Sequence, residues 1–301
     1  MTPQIIIICG PTASGKSALA IKLAKALDTE IISADSLAIY KNLDIGTAKP
    51  TKEEQTEVKH HLIDVVEPTS KFSVSDYERL TLPIVDDLIS KGKIPIICGG
   101  TGFYINSVLY KMSYGSTTEN LEVRKKYMDM AKTLGVDAVY EELIKVDEKA
   151  TEKIHKNDLV RVVRALEIYY STGKKKSDQN DLLSPRYSYL AFMPEFERQT
   201  LYNRIDKRVD IMIENGLIEE VKSLIDSGIN KDYQCMQGIG YKETYDALIS
   251  GDLSGLSDLI KINSRHYAKR QITFFKRLEG LKYVSSNPAQ AINAILKEIN
   301  G

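Results

Sequence analysis

Residues 10 to 17 read GPTASGKS and satisfy G-x-x-x-x-G-K-[ST] at every fixed position. The motif stands directly behind the apolar run Ile5-Ile6-Ile7-Ile8-Cys9 and directly before a helical pattern from Ala18 to Leu27. No other feature constrains the fold as much. A strand has to stop at Gly10, turn through a loop whose backbone N–H groups face inward, and continue as a helix whose positive end reaches the same point. Gly10, Pro11, Thr12, Ala13, Ser14, Gly15, Lys16 and Ser17 are therefore the expected phosphate-binding, nucleotide- or ATP-binding type of loop. Lys16 supplies a charge for the terminal phosphates and Ser17 a hydroxyl for Mg²⁺.

The first third of the chain continues in the same manner. Apolar strands are expected over Ile5 to Cys9, Glu30 to Ser33, His61 to Val66 and Ile94 to Cys98, with helices to Leu27 and from about Ser75 to Lys91 between them. This alternation predicts an α/β fold, a P-loop NTPase-like parallel sheet with helices on both faces. Ligands in such sheets sit beyond the carboxyl ends of the strands. The phosphate loop, Asp35-Ser36 and Gly99-Gly100-Thr101-Gly102 all fall there and should converge.

From Lys111 the pattern changes. Ser113 to Asn120 reads as a polar loop and Leu121 to Tyr170 as helices without a strand, ending in GKKKSDQNDLLSPR, residues 173 to 186, of linker composition. Tyr187 to Met193 then reads as a returning strand, and Phe196 to Gly301 as mostly helical with turns at Gly216, Gly228 and Gly238-Ile239-Gly240. We therefore expect a core over 1–114, a helical insertion domain over 115–186, and core completion with basic helices over 187–301.

Net charge excludes little, because Lys+Arg and Asp+Glu both number 41; a basic surface has to arise by local segregation. Cys9, Cys98 and Cys235 are odd in number and widely spaced, which suits reduced core thiols better than disulfides or zinc. No stretch approaches about 18 apolar residues, and the first strand follows the N-terminus without a charged leader. A cytoplasmic protein that does not engage membranes is expected.

Asp35, just past a buried strand, suits a Mg²⁺ ligand, a general base or a cap for the next turn. Thr101 follows two glycines and either presents its hydroxyl to a ligand or caps a turn. The strand Ile94 to Cys98 ends in glycines where a phosphoryl-transfer enzyme would place a Mg²⁺-binding Asp, so the loop suits a diphosphate that leaves rather than a triphosphate that is cleaved. Arg161 and Arg164 share a helix face with Glu167, as a solvated ion-pair seam would. Arg204 and Arg208 read the same way, although a cation beyond Lys16 is what a departing diphosphate needs. Residues 261 to 277, KINSRHYAKRQITFFKR, hold six bases and no acid. At helical spacing Lys261, Arg265 and Lys269 form one stripe and Tyr267, Gln271 and Phe274 another, a pattern suited to a phosphate backbone or to a solvated face.

Taken in order, GPTASGKS, DSLAIYKNLDIGTAKP (35–50), GGTGFY (99–104), HKNDLVRVVRALEIY (155–169), GIGYKE (238–243) and AKRQITFFKR (268–277) resemble the bacterial tRNA dimethylallyltransferases over nearly the whole chain. The resemblance implies a P-loop core with a helical insertion. It also implies transfer of the dimethylallyl group of dimethylallyl diphosphate to N6 of the adenine 3′ of the anticodon. Asp35 would take a proton from N6, and the loop amides, Lys16, Arg208 and Mg²⁺ on Ser17 would stabilise the departing diphosphate, with Thr101 near its bridging oxygen. Contacts to the tRNA anticodon stem-loop would fall on Asp35, Ser36, Leu37 and Ala38, on Thr101 and Arg124, and on Val160, Arg161, Val162, Val163 and Arg164. They would continue over Gln237, Gly238, Ile239, Gly240, Tyr241 and Lys242, and over Lys269, Arg270, Gln271, Ile272, Thr273, Phe274, Phe275 and Lys276. Tyr114 to Met130 matches loosely, and Phe274 stands where many relatives have tryptophan. The protein is expected to act as a monomer. The rival readings are a nucleoside or small-molecule kinase, a prenyltransferase of free AMP or ADP, and a non-catalytic RNA-binding protein.

Overall fold

The computed structural model describes residues 2–112, 120–178 and 182–301. The expected boundary between residues 114 and 115, most of the polar loop after Lys111, and residues 179–181 of the expected linker lie outside the described residues. The chain forms two compact units, Met1–Leu109 with Pro185–Gly301, and Tyr110–Ser184.

In the first unit the chain runs through β1 (Ile5–Cys9), α1 (Lys16–Ala26), β2 (Ile31–Ala34), α2 (Lys52–Glu57), β3 (His60–His61), α3 (Val74–Ser90), β4 (Ile96–Gly99) and α4 (Gly102–Leu109). The second unit holds β5 (Tyr110–Lys111), α5 (Leu121–Leu134), α6 (Val136–Asp147), α7 (Leu159–Thr172) and, at its close, β6 (Leu182–Pro185). The first unit resumes with β7 (Tyr189–Pro194), α8 (Arg198–Glu214), α9 (Leu217–Asp226), α10 (Tyr241–Ser250), α11 (Leu256–Phe275), β8 (Leu281–Val284) and α12 (Pro288–Asn300).

Its sheet has the order β3-β2-β4-β1-β7-β8, and the pairings are parallel. All five residues of β1 are fully buried, which is why this strand reads as a continuous apolar run rather than an alternation. Leu19, Leu23, Ala291 and Ile295, from α1 and α12, pack with Ile6 and Ile8 on one face. Ile5, Ile7 and Cys9 face the other way and are equally buried. The phosphate loop thus leaves the centre of the sheet, between neighbours β4 and β7.

Three expectations are corrected. The strand expected over His61 to Val66 is only His60–His61, because Leu62 (φ 61°) and Asp64 (φ 55°) turn into the left-handed region and leave Val66 a single bridge to Tyr40. The expected linker contains β6, which pairs with β5 in a two-stranded sheet. The last helical stretch is interrupted by β8, an edge strand whose Lys282 pairs with Glu298 on α12. The three cysteines are free and buried. Burial pushes the Cys9 thiol up to about 12 and those of Cys98 and Cys235 to about 11, as inert core thiols require. Among the described residues no helix is long and apolar enough to cross a membrane.

The second unit packs Tyr127, Val139, Leu143, Val162, Val163 and Leu166 into its own core. The expected seam is solvated only at Arg161, which is exposed; Glu167 is fully buried and accepts from the Asn120 N–H (2.7 Å), Arg124 (3.1 Å) and Arg164 (2.9 Å). Burial alone would raise its carboxyl; the donors from Arg164, Asn120 and Arg124 outweigh burial and hold it below the usual range.

Candidate active site

Beyond β1 the chain turns through Gly10 (φ 145°), Ala13 (φ 62°) and Gly15 (φ 87°). A Cβ on Gly15 would meet nothing within 4 Å, so glycine is needed there for the left-handed backbone and not for space. Helix α1 has neither a side-chain cap nor an acid in its first turn, so its leading N–H groups and positive dipole end remain for an anion. The Lys16 ammonium folds back onto the Pro11 carbonyl at 3.2 Å. Burial, and after it the field of Arg208, push Lys16 below the ordinary lysine range, while Asp35 acts in the opposite sense. The Ser14 hydroxyl is buried and unpartnered, and Ser17 is exposed.

Beyond β2, Asp35 does act as a turn cap: its Oδ1 accepts from the Leu37 (2.9 Å) and Ala38 (3.2 Å) N–H groups. Its second oxygen takes no protein hydrogen bond among the described residues. Asp35 thus caps its turn through one oxygen, and the residue also lines the cavity at these strand ends.

Beyond β4, glycines serve close approach. A Cβ on Gly99 would lie 2.1 Å from the Ala34 carbonyl oxygen, and one on Gly100 would lie 2.2 Å from the Gln271 amide nitrogen. The Thr101 N–H donates to Ala34 O (3.0 Å), and the Thr101 hydroxyl accepts from the Ser36 N–H (3.1 Å) and lies near the Tyr267 phenol. Burial pushes the Tyr267 phenol up to about 12. Gln271, on α11, joins the loops: it accepts from the Thr12 N–H at 2.9 Å and donates to the Gly100 carbonyl at 3.0 Å.

These strand ends enclose a cavity of about 350 Å³. Its lining carries the cations Lys16, Arg208 and Arg270 and the lone carboxylate of Asp35, together with polar groups from Thr12, Ser36, Gln234, Gln237, Ser264 and Tyr267. The same lining includes the apolar side chains of Leu37, Ile205, Val209, Met212, Ile239 and Ile260. Arg208 is oriented by donation to the Thr47 carbonyl at 3.1 Å; burial lowers its pKa and Asp35 raises it. The turn carrying Thr47 is fixed by a residue that the sequence alone does not single out. Glu220 accepts from the N–H groups of Asp44 (2.8 Å), Ile45 (2.8 Å) and Gly46 (3.2 Å) and from the Tyr241 hydroxyl (2.6 Å). No local pattern could have revealed it, because Glu220 lies about 175 positions from the three N–H groups that it holds.

The structure brings Lys16, Asp35, Ser36, Leu37, Arg208, Gln237, Gly238, Ile239, Arg270 and Gln271 to the cavity wall. Thr101 stands behind it, holding Ser36 and lying near Tyr267, which are wall residues. Of the expected tRNA contacts, the side chains of Ala38, Tyr241, Gln271 and Phe275 are buried in the first unit and those of Val162 and Val163 in the second. Tyr241 lies under Gly46, where a Cβ would come within 2.5 Å of its ring. Gly240 begins α10 and is capped by Glu243. Lys242, Thr273, Lys269 and Lys276 are exposed, as are Val160 and Arg161 in the second unit, where Arg161 pairs with Asp158 and Arg124 with Glu167. The basic stripe also divides. Lys261 and Arg265 are paired with Asp210 (2.5 Å) and Asp206 (3.5 Å) of α8, whereas Lys269, Lys276 and Arg277 form no ion pair among the described residues.

The family model described as IPP transferase matches residues 38–278. The tRNA dimethylallyltransferase of Acetivibrio thermocellus is 42% identical over 300 residues, covering 98% of this chain and 96% of that protein. The crystal structure of the full-length tRNA isopentenylpyrophosphate transferase from Bacillus halodurans is 38% identical, with a TM-score of 0.74 and coverage of 98% of this chain and 96% of that one. A eukaryotic dimethylallyltransferase acting on tRNA superposes with a TM-score of 0.83 at 30% identity, over 98% of this chain and 77% of that one. A phosphate loop at the centre of a parallel sheet, a cavity lined by both cationic and apolar side chains, and full-length similarity of this degree agree, and the chain belongs to the IPP transferase family.

Proposed function

We propose that the chain transfers the dimethylallyl group of dimethylallyl diphosphate to N6 of the adenine 3′ of the anticodon in tRNA, releasing diphosphate. One observation carries this reading: a single cavity at the phosphate loop is lined by Lys16, two arginines and one carboxylate together with six apolar side chains. A branched hydrocarbon attached to a diphosphate needs that combination of anion-binding and apolar groups.

The chain's residues then divide the work. The loop N–H groups, Lys16 and Arg208 hold the diphosphate and stabilise the charge that grows on it as the allylic C–O bond breaks and its electron pair leaves with oxygen. Ile205, Val209, Met212 and Ile260 seat the hydrocarbon and exclude water from an allylic carbon that is gaining positive character. The adenine N6 lone pair, delocalised into the ring, forms the new C–N bond as the free oxygen of Asp35 accepts the N6 proton. Thr101 positions Ser36 beside this centre. The exposed Ser17 hydroxyl, a hard oxygen in the first turn of α1, is the side chain that would hold Mg²⁺. Bound there with diphosphate oxygens, Mg²⁺ would add to the neutralisation of the leaving group.

The target base has to leave its stack to reach a site below the surface, so the rest of the anticodon loop must be held outside. The exposed, unpaired end of the basic stripe supports that role. Neutralising Lys269 and Lys276 together is expected to weaken binding of an anticodon stem-loop RNA and to flatten its log K against log[salt] slope by roughly 0.7 to 0.9 for each phosphate no longer neutralised. Saturating RNA should restore most of the rate. Identical slopes for wild type and double variant would mean a solvated face, and would favour a free nucleotide as the acceptor.

A further inference from the structure

Phe103 is the second residue of α4, two positions after Thr101, and 54% of it is exposed, while the next two residues, Tyr104 and Ile105, are buried. Its ring leans on Phe274 of α11, with centroids 5.5 Å apart and planes tilted by 59°. Phe274 is itself fixed from two sides. It meets Phe275 edge-on at 5.6 Å, and it lies so close to Gly102 that a Cβ there would come within 2.2 Å of the ring. Arg270 precedes Phe274 by one helical turn and Arg277 follows it by about one, both exposed, and no acid occurs from Lys261 to Arg277.

A half-open aromatic ring contributes little to the core. Single exposed apolar side chains are common and need no function. This ring, however, is braced by a second aromatic that has an arginine about one turn to either side, and it stands two residues from Thr101, whose hydroxyl holds the Ser36 N–H of the cavity wall. Aromatic faces between basic side chains are what unstacked nucleic-acid bases bind, the ring taking the base and the cations the backbone. Extruding an adenine also removes a stacking partner from the bases on either side of it. We infer that Phe103 is a stacking platform for a base adjacent to the modified adenine, its ring standing in for the extruded adenine as that base's stacking partner. This rests on the tRNA reading above and extends it to a specific recognition contact.

The test is single-turnover transfer from dimethylallyl diphosphate to an anticodon stem-loop RNA, and to versions of that RNA abasic at the position immediately 5′ or 3′ of the target adenine. Phe103→Leu keeps apolar volume against Phe274 but removes the aromatic face. It is expected to lower kcat/KM for the RNA roughly 10- to 100-fold, with KM for dimethylallyl diphosphate and thermal stability unchanged and with Phe103→Tyr close to wild type. One of the two abasic RNAs should show the same loss with wild type and little further loss with Phe103→Leu, the coupling expected of two groups in contact. Loss of activity below twofold in Phe103→Leu, or losses that multiply with both abasic RNAs, would overturn the platform. So would an effect confined to KM for dimethylallyl diphosphate. Absence of transfer by the wild-type protein to the intact stem-loop would instead overturn the proposed function, whatever Phe103 does.

Discussion

Lys16→Ala is expected to abolish transfer, lowering kcat/KM for dimethylallyl diphosphate by about 10³-fold or more, while leaving the protein folded. The magnitude is that of removing a preorganised charge from a developing anion in a site shielded from water. The fold should survive because the Lys16 ammonium makes one intramolecular hydrogen bond, to the Pro11 carbonyl, and the change removes no core volume. Steady-state kinetics beside a thermal melt measure both halves of the expectation. Near-normal turnover with an unchanged melting temperature would remove the diphosphate from the loop.

Asp35→Asn should leave tRNA binding intact and slow the chemical step by about 10²–10⁴-fold. The structure sharpens this expectation, because the two hydrogen bonds that Asp35 makes to its own turn both enter Oδ1. An asparagine can keep them through its carbonyl oxygen, so the turn that carries Ser36 and Leu37 should persist. The group that changes is the second oxygen, replaced by an amide nitrogen that cannot accept the N6 proton. Single-turnover rates at saturating RNA isolate that step. An unchanged rate would leave Asp35 as a turn cap only.

The parts of this site that were legible in the sequence are those in which chemistry and local geometry occupy neighbouring residues. GPTASGKS is a strand end, a turn and a helix start in eight positions, and each demands particular residue types. The convergence of Asp35 and Thr101 with that loop followed from the α/β alternation alone, since parallel strands deliver their carboxyl ends to one edge. What was not legible depends on tertiary partners. Gln271 reads as one polar residue in a basic helix, yet it is the pin between the Thr12 amide and the Gly100 carbonyl. Glu167 has helical spacing to Arg164, which suggests a solvated pair, but its burial is set by Arg124 and Asn120 from another helix and its cap. Lys261 and Arg265 look available until the acids of α8 are placed beside them. The strand expected over His61 to Val66 failed for a backbone reason, since apolar content does not reveal that Leu62 and Asp64 adopt positive φ.

The central claim is that one cavity joins a prenyl diphosphate to a single adenine of tRNA. Nucleoside mass analysis of unmodified tRNA digested after incubation with the protein, dimethylallyl diphosphate and Mg²⁺ tests it most directly, with free AMP, ADP and nucleosides as parallel acceptors. The account predicts one new nucleoside, an adenosine heavier by a dimethylallyl group in place of one hydrogen. It should map to the position 3′ of the anticodon, be released with an equivalent of diphosphate, and have no counterpart among the free acceptors. Prenylated AMP or ADP with unmodified tRNA, or phosphorylated nucleosides when ATP is supplied, would contradict it.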